Sequence, residues 1–251
     1  MTVYFIGAGP GAADLLTLRA KAIIERCPVI LYAGSLVPKE ILQFAPGAAK
    51  VINTAPLSLE EIIQAIHEAS ENGQDVARLH SGDPALYSAV AEQVHHLNSL
   101  GIDYEIVPGV PAFAAAAAAL GQELTLPEIC QTLILTRTAR RASKMPEGEQ
   151  LAKLGASKAT LAIHLSAKNT DQVMQSLIPH YGADCPVVIA YKVSWPDEKL
   201  IKTTLQNLGE EIKTHNIERG AIIFVGQALD QNLIRESALY DKTHNRHLKP
   251  A

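Results

Sequence analysis

The chain has 251 residues, of which 47% are hydrophobic and 19% charged, with a formal net charge of −4 and a pI near 6.1. This excludes a disordered chain and allows one large domain or two of ordinary size, each with its own core. The mild acidity argues against a general binder of nucleic acid or of anionic membranes, so any anionic ligand needs a local basic patch.

Residues 3–6 form a short apolar run that ends in Gly-Ala-Gly-Pro-Gly-Ala (7–12). An amphipathic segment follows from Asp14, read as its N-cap, with Leu15, Leu16, Leu18, Ala22, Ile23 and Ile24 at helical spacing. Residues 29–32 read as a second strand, and 38–44 as a short helix opened by Pro38. Ser58 and Glu61 form a capping-box pair for a helix that runs to about Glu71 and stops at Gly73.

Arg-Leu-His-Ser-Gly-Asp-Pro-Ala-Leu-Tyr (78–87) reads as the end of a strand, a Gly-Asp-Pro turn and the start of a helix over 86–100. In an open α/β sheet the carboxyl ends of strands are where small ligands bind. Asp83 is therefore either a ligand-facing carboxylate or the cap of a helix that Pro84 starts. Residues 104–107 form the next strand, followed by Pro-Gly-Val-Pro (108–111). The alanine-rich run 112–119 reads as a closely packed helix, because alanine is the strongest helix former. Strands alternating with helices predict a parallel sheet covered on both faces.

The composition shifts after Gly121, which sets the boundary between an N-terminal α/β domain, 1–119, and a C-terminal one, 120–251. In the second, strands are predicted at 132–136, 160–165, 187–192 and 221–226, and helices at 170–180 and 208–215. Residues 199–205 would add an antiparallel strand. Residues 240–251 read as a polar tail.

Cys27, Cys130 and Cys185 are scattered and odd in number, without Cys-x-x-Cys, and read as buried thiols of a reducing cytoplasm. The N-terminus has no basic region or small-residue cleavage site and does not read as a signal peptide. The low-polarity run 110–120 is too short to span a bilayer. His95 and His96 are adjacent and cannot form an i, i+4 ligand pair. No metal site, no Gly-x-Ser-x-Gly elbow and no covalent nucleophile is indicated.

Residues 7–12 formally satisfy G-x-G-x-x-G/A, the dinucleotide fingerprint. The acidic ribose ligand expected at the end of the second strand is missing, since residues 29–32 lead into Ala-Gly-Ser. An NAD-dependent oxidoreductase is thereby disfavoured. Arg137, Arg140, Arg141 and Lys144 place four cations in eight residues directly after a strand. They read either as a solvated loop or as a binding site for carboxylates.

Together, residues 3–20, 78–87 and 107–110 resemble the tetrapyrrole (precorrin) methyltransferase family in order and spacing, over nearly the whole chain. Leu-Tyr-Ala-Gly-Ser-Leu (31–36), Glu-Leu-Thr-Leu-Pro-Glu (123–128) and Thr-Leu-Ile-Leu-Thr-Arg (132–137) look like its branch that methylates C11 of precorrin-4 or cobalt-precorrin-4. Other branches act on uroporphyrinogen III or other precorrins.

The resemblance implies two α/β domains with S-adenosylmethionine in the cleft between them, S-adenosylhomocysteine as product, a tetrapyrrole substrate and a homodimer, with no nucleic-acid or membrane partner. By position it implies cofactor contacts at Pro10, Asp83, Leu86, Tyr87, Pro111, Ala112, Leu165, Val193, Ala221 and Ile222. Substrate carboxylates would fall to Arg137, Arg140, Arg141 and Lys144. No general base is named. Pro111 stands where the family often has Ser or Thr, and Arg140 where a small residue is expected. A non-catalytic regulatory module, in which these loops would be purely structural, is the remaining alternative.

Overall fold

Short runs of β-branched and aliphatic residues build the first sheet, and the computed structural model describes them within residues 1–139 and 144–233. The strands are β1 (Thr2–Gly7), β2 (Val29–Tyr32), β3 (Lys50–Asn53), β4 (Val76–His80) and β5 (Asp103–Val107). Their order is β3-β2-β4-β1-β5, and every pair is parallel. Parallel strands need crossovers, which α1 (Leu18–Ile24), α2 (Lys39–Leu42), α3 (Leu59–Glu71) and α4 (Val90–Ser99) supply, and α5 (Ala112–Leu120) follows β5.

Successive side chains of a strand point to opposite faces. Tyr4 and Ile6 of β1 accordingly pack with Ile30, Leu79 and the α1 residues Ala20, Ile23 and Ile24. Val3 and Phe5 pack on the other face with Val29, Leu31, Ile62, Ile66 and Leu97. Burial on both faces explains why β1 and β2 read as continuous apolar runs, with no alternation.

The chain divides into two compact units. The first comprises Met1–Ala116 and the short arm Lys192–Asp197; the second comprises Ala117–Tyr191 and the chain from Glu198 onward. In the second unit, β6 (Leu133–Arg137), β7 (Thr160–His164), β8 (Pro186–Tyr191), β9 (Lys199–Thr204) and β10 (Ala221–Val225) form a sheet ordered β6-β7-β10-β8-β9. Only β6 and β7 pair in parallel. β10 is antiparallel to both its neighbours, and β9 is antiparallel to β8. Leu161, Ile163, Val187, Ile189, Ile223 and Val225 bury one face of this sheet with α7 (Thr170–Tyr181) and α8 (Leu208–Thr214). The short α6 (Leu151–Gly155) packs on α7.

Several expectations shift in detail. Thr17, not Asp14, caps α1, and its side chain accepts the Ala20 amide; residues 13–15 form a separate 3₁₀ turn. The strand β3 was not apparent in the sequence because it is a four-residue edge with three exposed positions. The antiparallel β9 is present, but antiparallel pairing extends to β10 as well. The three thiols are buried and unpaired, and burial raises those of Cys27 and Cys185 to about 11.

The capping box forms as expected. The Glu61 amide donates to Ser58 Oγ (3.2 Å), and the Ser58 amide donates to Glu61 Oε2 (2.7 Å). Gly73 follows α3 at φ +65°, a conformation that favours glycine. A Ser58→Ala variant is expected to lose about 1 kcal/mol in urea denaturation. An unchanged midpoint would show that α3 is held by its apolar face alone.

Candidate active site

Three loops leave the carboxyl ends of β1, β4 and β5 in the first unit, and they are joined through their backbones. The Ala8 amide donates to the His80 carbonyl (2.7 Å), and Gly9 and Gly82 exchange two amide–carbonyl bonds (3.2 and 2.7 Å). A Cβ on Gly7 would lie 2.5 Å from Gly109 Cα and 2.7 Å from the Gly82 carbonyl oxygen. No side chain fits there, so Gly7 and Gly109 are required by contact.

Asp83 completes this junction. Its Oδ1 accepts the Ala85 amide (2.7 Å) and its Oδ2 the Gly109 amide (2.8 Å). The helix-cap alternative fails, since α4 begins only at Val90. Residues 84–89 form a turn instead, with Tyr87 at φ +55° and Ala89 at φ +51°. That turn is why the helix expected from residue 86 starts late.

Of the predicted cofactor contacts, Pro10, Asp83, Leu86, Tyr87, Pro111 and Ala112 all lie on these three loops or at the start of α5. Gly82 approaches Pro111 Cα and the Ala112 nitrogen, each 3.8 Å from a built Cβ. Val193 lies buried in the arm Lys192–Asp197 of the same unit. Leu165, Ala221 and Ile222 lie in the second unit. Leu165 directly follows the end of β7 at His164, and Ala221 and Ile222 open β10, which pairs with β7, so the three lie towards one end of that sheet.

Non-glycine residues at positive φ are strained and often mark functional sites. Tyr87 and Leu165 are two of them, 46% and 47% exposed, and Lys192 and Ser194, on either side of Val193, are two more.

Three amides of the first loop are already occupied. The amides of Ala8, Gly9 and Ala12 donate to the His80 carbonyl, the Gly82 carbonyl and Ser194 Oγ. A dinucleotide fingerprint needs free amides at the start of a helix. Here α1 begins six residues after the motif ends, as the numbering of Ala12 and Leu18 shows. This disfavours the NAD reading on geometry as well as on the missing acidic residue.

Arg137 ends β6, with Nη1 donating to the Thr138 carbonyl (3.1 Å), and Lys144 is exposed. Arg140 and Arg141 lie outside the described residues. The strand exit is fixed by buried hydroxyls. Ser166 Oγ accepts the Thr138 amide (2.8 Å) and donates to the His164 carbonyl (2.7 Å), while Asn169 Nδ2 donates to Thr138 Oγ1 (2.7 Å). Among the described residues no group of three or more His, Cys, Asp or Glu side chains could hold a metal, and no helix is long and apolar enough to cross a membrane.

Sequence reasoning missed several residues here. Arg78 is only 6% exposed, donating from Nε to Gln93 Oε1 (3.1 Å) and from Nη1 to Thr54 Oγ1 (3.0 Å). Burial lowers its guanidinium to about 10. His80 is 4% exposed; its Nε2 is buried without a hydrogen-bond partner, and burial, with Arg78 adding repulsion, lowers it to about 3. The available signal was an arginine and a histidine inside an otherwise apolar strand, where ionisable groups are rare.

The family model of the tetrapyrrole (corrin/porphyrin) methylases matches residues 2–209. The chain belongs to this family of tetrapyrrole methylases. A relative from Sinorhizobium sp., named precorrin-4 C(11)-methyltransferase, is 53% identical over 99% of this chain and 98% of its own length. The protein of that name from Pseudomonas aeruginosa is also 53% identical, over 99% and 98%. Among solved structures, a cobalt precorrin-4 methyltransferase superposes with a TM-score of 0.88 at 42% identity, covering 91% of this chain and 96% of its own. This methylase therefore has the expected two-domain α/β fold.

Two outcomes are expected from this geometry. Asp83→Asn turns one charged acceptor into a donor facing an amide and should cost about 2 kcal/mol of stability; an unshifted unfolding midpoint would show that the loop junction does not need the carboxylate. The second concerns pH. His80, and His164 lowered by burial to about 4, stay neutral in the fold, whereas the unfolded chain protonates them near 6.5. The unfolded state then binds more protons below pH 6.5, so stability should fall from there towards about 4. His80→Gln should flatten part of this slope, and an identical slope in the variant would remove His80 as a cause.

Proposed function

We propose that this protein is an S-adenosylmethionine-dependent C-methyltransferase acting at C11 of precorrin-4 or cobalt-precorrin-4 in cobalamin biosynthesis. The observation that carries this is the near-full-length identity to relatives named for C11 methylation. The strand-end loops fit such a methyl donor. They present backbone and apolar surface from Pro10, Leu86, Tyr87, Pro111 and Ala112, with the carboxylate of Asp83 at their junction and no basic side chain on the loops themselves. This suits a sulfonium cation and does not suit a phosphate.

We assign the methyl donor's contacts to those six residues and Val193 in the first unit, and to Leu165, Ala221 and Ile222 in the second. When bound, S-adenosylmethionine supplies a sulfonium methyl open to in-line displacement by an electron-rich, enamine-like ring carbon. The protein's share is to hold carbon and methyl in line, an effect worth ~7–11 kcal/mol. No side chain is assigned as nucleophile or general base.

The tetrapyrrole carries many carboxylates, and Arg137, Arg140, Arg141 and Lys144 are assigned to them, since guanidinium forks match carboxylate geometry. The Thr138–Ser166–Asn169 hydrogen bonds support this assignment by fixing the strand exit that carries Arg137. A homodimer in the cytoplasm completes the proposal. The half-exposed Tyr104 and Ile106 on edge strand β5, and the buried free thiols, are consistent with it.

Mass spectrometry of reactions given precorrin-4 and cobalt-precorrin-4 separately is expected to show gain of one methyl at C11 from at least one of them. Failure with both, in the presence of S-adenosylmethionine, would overturn the substrate assignment. Arg137→Ala should raise the tetrapyrrole KM about tenfold, as expected for one lost charge-assisted contact, with affinity for S-adenosylhomocysteine unchanged.

A further inference from the structure

The arm Lys192–Asp197 leaves the second sheet after β8 and counts with the first unit. It meets the first strand-end loop at three consecutive residues. Trp195 Nε1 donates to the Pro10 carbonyl (2.8 Å), and the Ala12 amide donates to Ser194 Oγ (2.9 Å). Between them, a Cβ on Gly11 would lie 2.7 Å from Trp195 Nε1 and 2.8 Å from Ser194 Oγ. Glycine at position 11 is therefore imposed by the arm.

The arm's own backbone is bent to make this fit. Lys192 and Ser194 adopt φ of +44° and +64°, and the Trp195 amide donates to the Lys192 carbonyl (3.0 Å). Holding a non-glycine residue in that region strains the backbone. Val193, between the two strained positions, is buried, and its backbone is fixed by its neighbours.

We propose that Ser194 and Trp195 are positioning residues for the methyl-donor site: they set the conformation of residues 9–12 and hold Val193 in place. This deepens the proposed function and rests on its placement of S-adenosylmethionine at Pro10 and Val193. The mechanism is a division of labour. Trp195 and Ser194 take up the polar groups at positions 10 and 12, so the Pro10 ring and the peptide around Gly11 are held without help from the ligand. A loop fixed in advance binds more tightly, because the ordering cost is met during folding.

The test is calorimetric binding of S-adenosylhomocysteine, with thermal unfolding and tetrapyrrole KM measured on the same full-length variants. Trp195→Phe keeps an aromatic ring, smaller than the indole, and removes the N–H. Ser194→Gly removes the hydroxyl acceptor while relieving the left-handed backbone. Each is expected to weaken S-adenosylhomocysteine binding about fivefold to tenfold, the equivalent of one hydrogen bond, with tetrapyrrole KM within twofold of the parent. Ser194→Gly is diagnostic, because a purely structural role would leave affinity intact as the strain is relieved. Affinity within twofold of the parent in both variants overturns the proposal. If the parent protein itself fails to bind S-adenosylhomocysteine, the methyl-donor reading fails first. If Trp195→Phe does not fold, Ser194→Gly alone decides.

Discussion

The constraint on which the first unit depends is backbone contact between three loops with no room for side chains. Gly7, Gly82 and Gly109 bring the exits of β1, β4 and β5 together, and Asp83 ties the second loop to the third through the Gly109 amide. Neighbouring strands alone would fix the strand ends about 4.8 Å apart but leave the loops free to diverge. The glycine contacts and the carboxylate remove that freedom. Pro10, Leu86, Tyr87, Pro111 and Ala112 are then carried on one connected piece of backbone, and each loop limits the shapes open to the others.

Beneath the second loop lies a polar cluster that would otherwise be costly to bury. Arg78 keeps its charge because Gln93 and Thr54 supply oxygen acceptors, and Thr54 Oγ1 in turn donates to the Tyr32 carbonyl (2.9 Å). These bonds link β4 to α4 and to the loop after β3, so the base of the 81–89 turn is held by a cation with neutral partners. Placing a carboxylate there would relieve the desolvation of Arg78 but add a second buried charge. His80, next along the same face, responds by staying neutral, which is the cheaper form for a buried imidazole beside a cation.

The sequence disclosed most of what depends on local chemistry. The parallel sheet was legible because β1 and β2 are apolar on both faces, the Ser58–Glu61 box because its two bonds are local, and the strand-end loops because Gly-Asp-Pro and Pro-Gly-Val-Pro punctuate strand ends. What escaped depends on distant partners. Thr17 displaced Asp14 as the cap because residues 13–15 turn away into the loop. α4 starts late because residues 84–89 form a turn behind Asp83, which is itself bonded to Gly109, 26 positions away. β10 runs antiparallel, although a strand–helix alternation suggests otherwise, since strand direction is set by the connections and leaves no periodic trace.

Gly11 shows the same limit most sharply. By spacing it belongs to a dinucleotide fingerprint, where glycine would admit a pyrophosphate. In the fold it admits an indole and a hydroxyl from a segment more than 180 positions away. The amide at position 12 and the carbonyl at position 10, which such a motif would leave to ligand or solvent, are spent on the arm. With the amides of residues 8, 9 and 12 spent internally, the loop offers a ligand mainly shape, proline surface and the residual field of nearby carbonyls. Those are poor means of holding a dianion and adequate means of holding a compact organic cation, so the same glycine pattern that formally allows a nucleotide cofactor comes, through Trp195 and Ser194, to disfavour one.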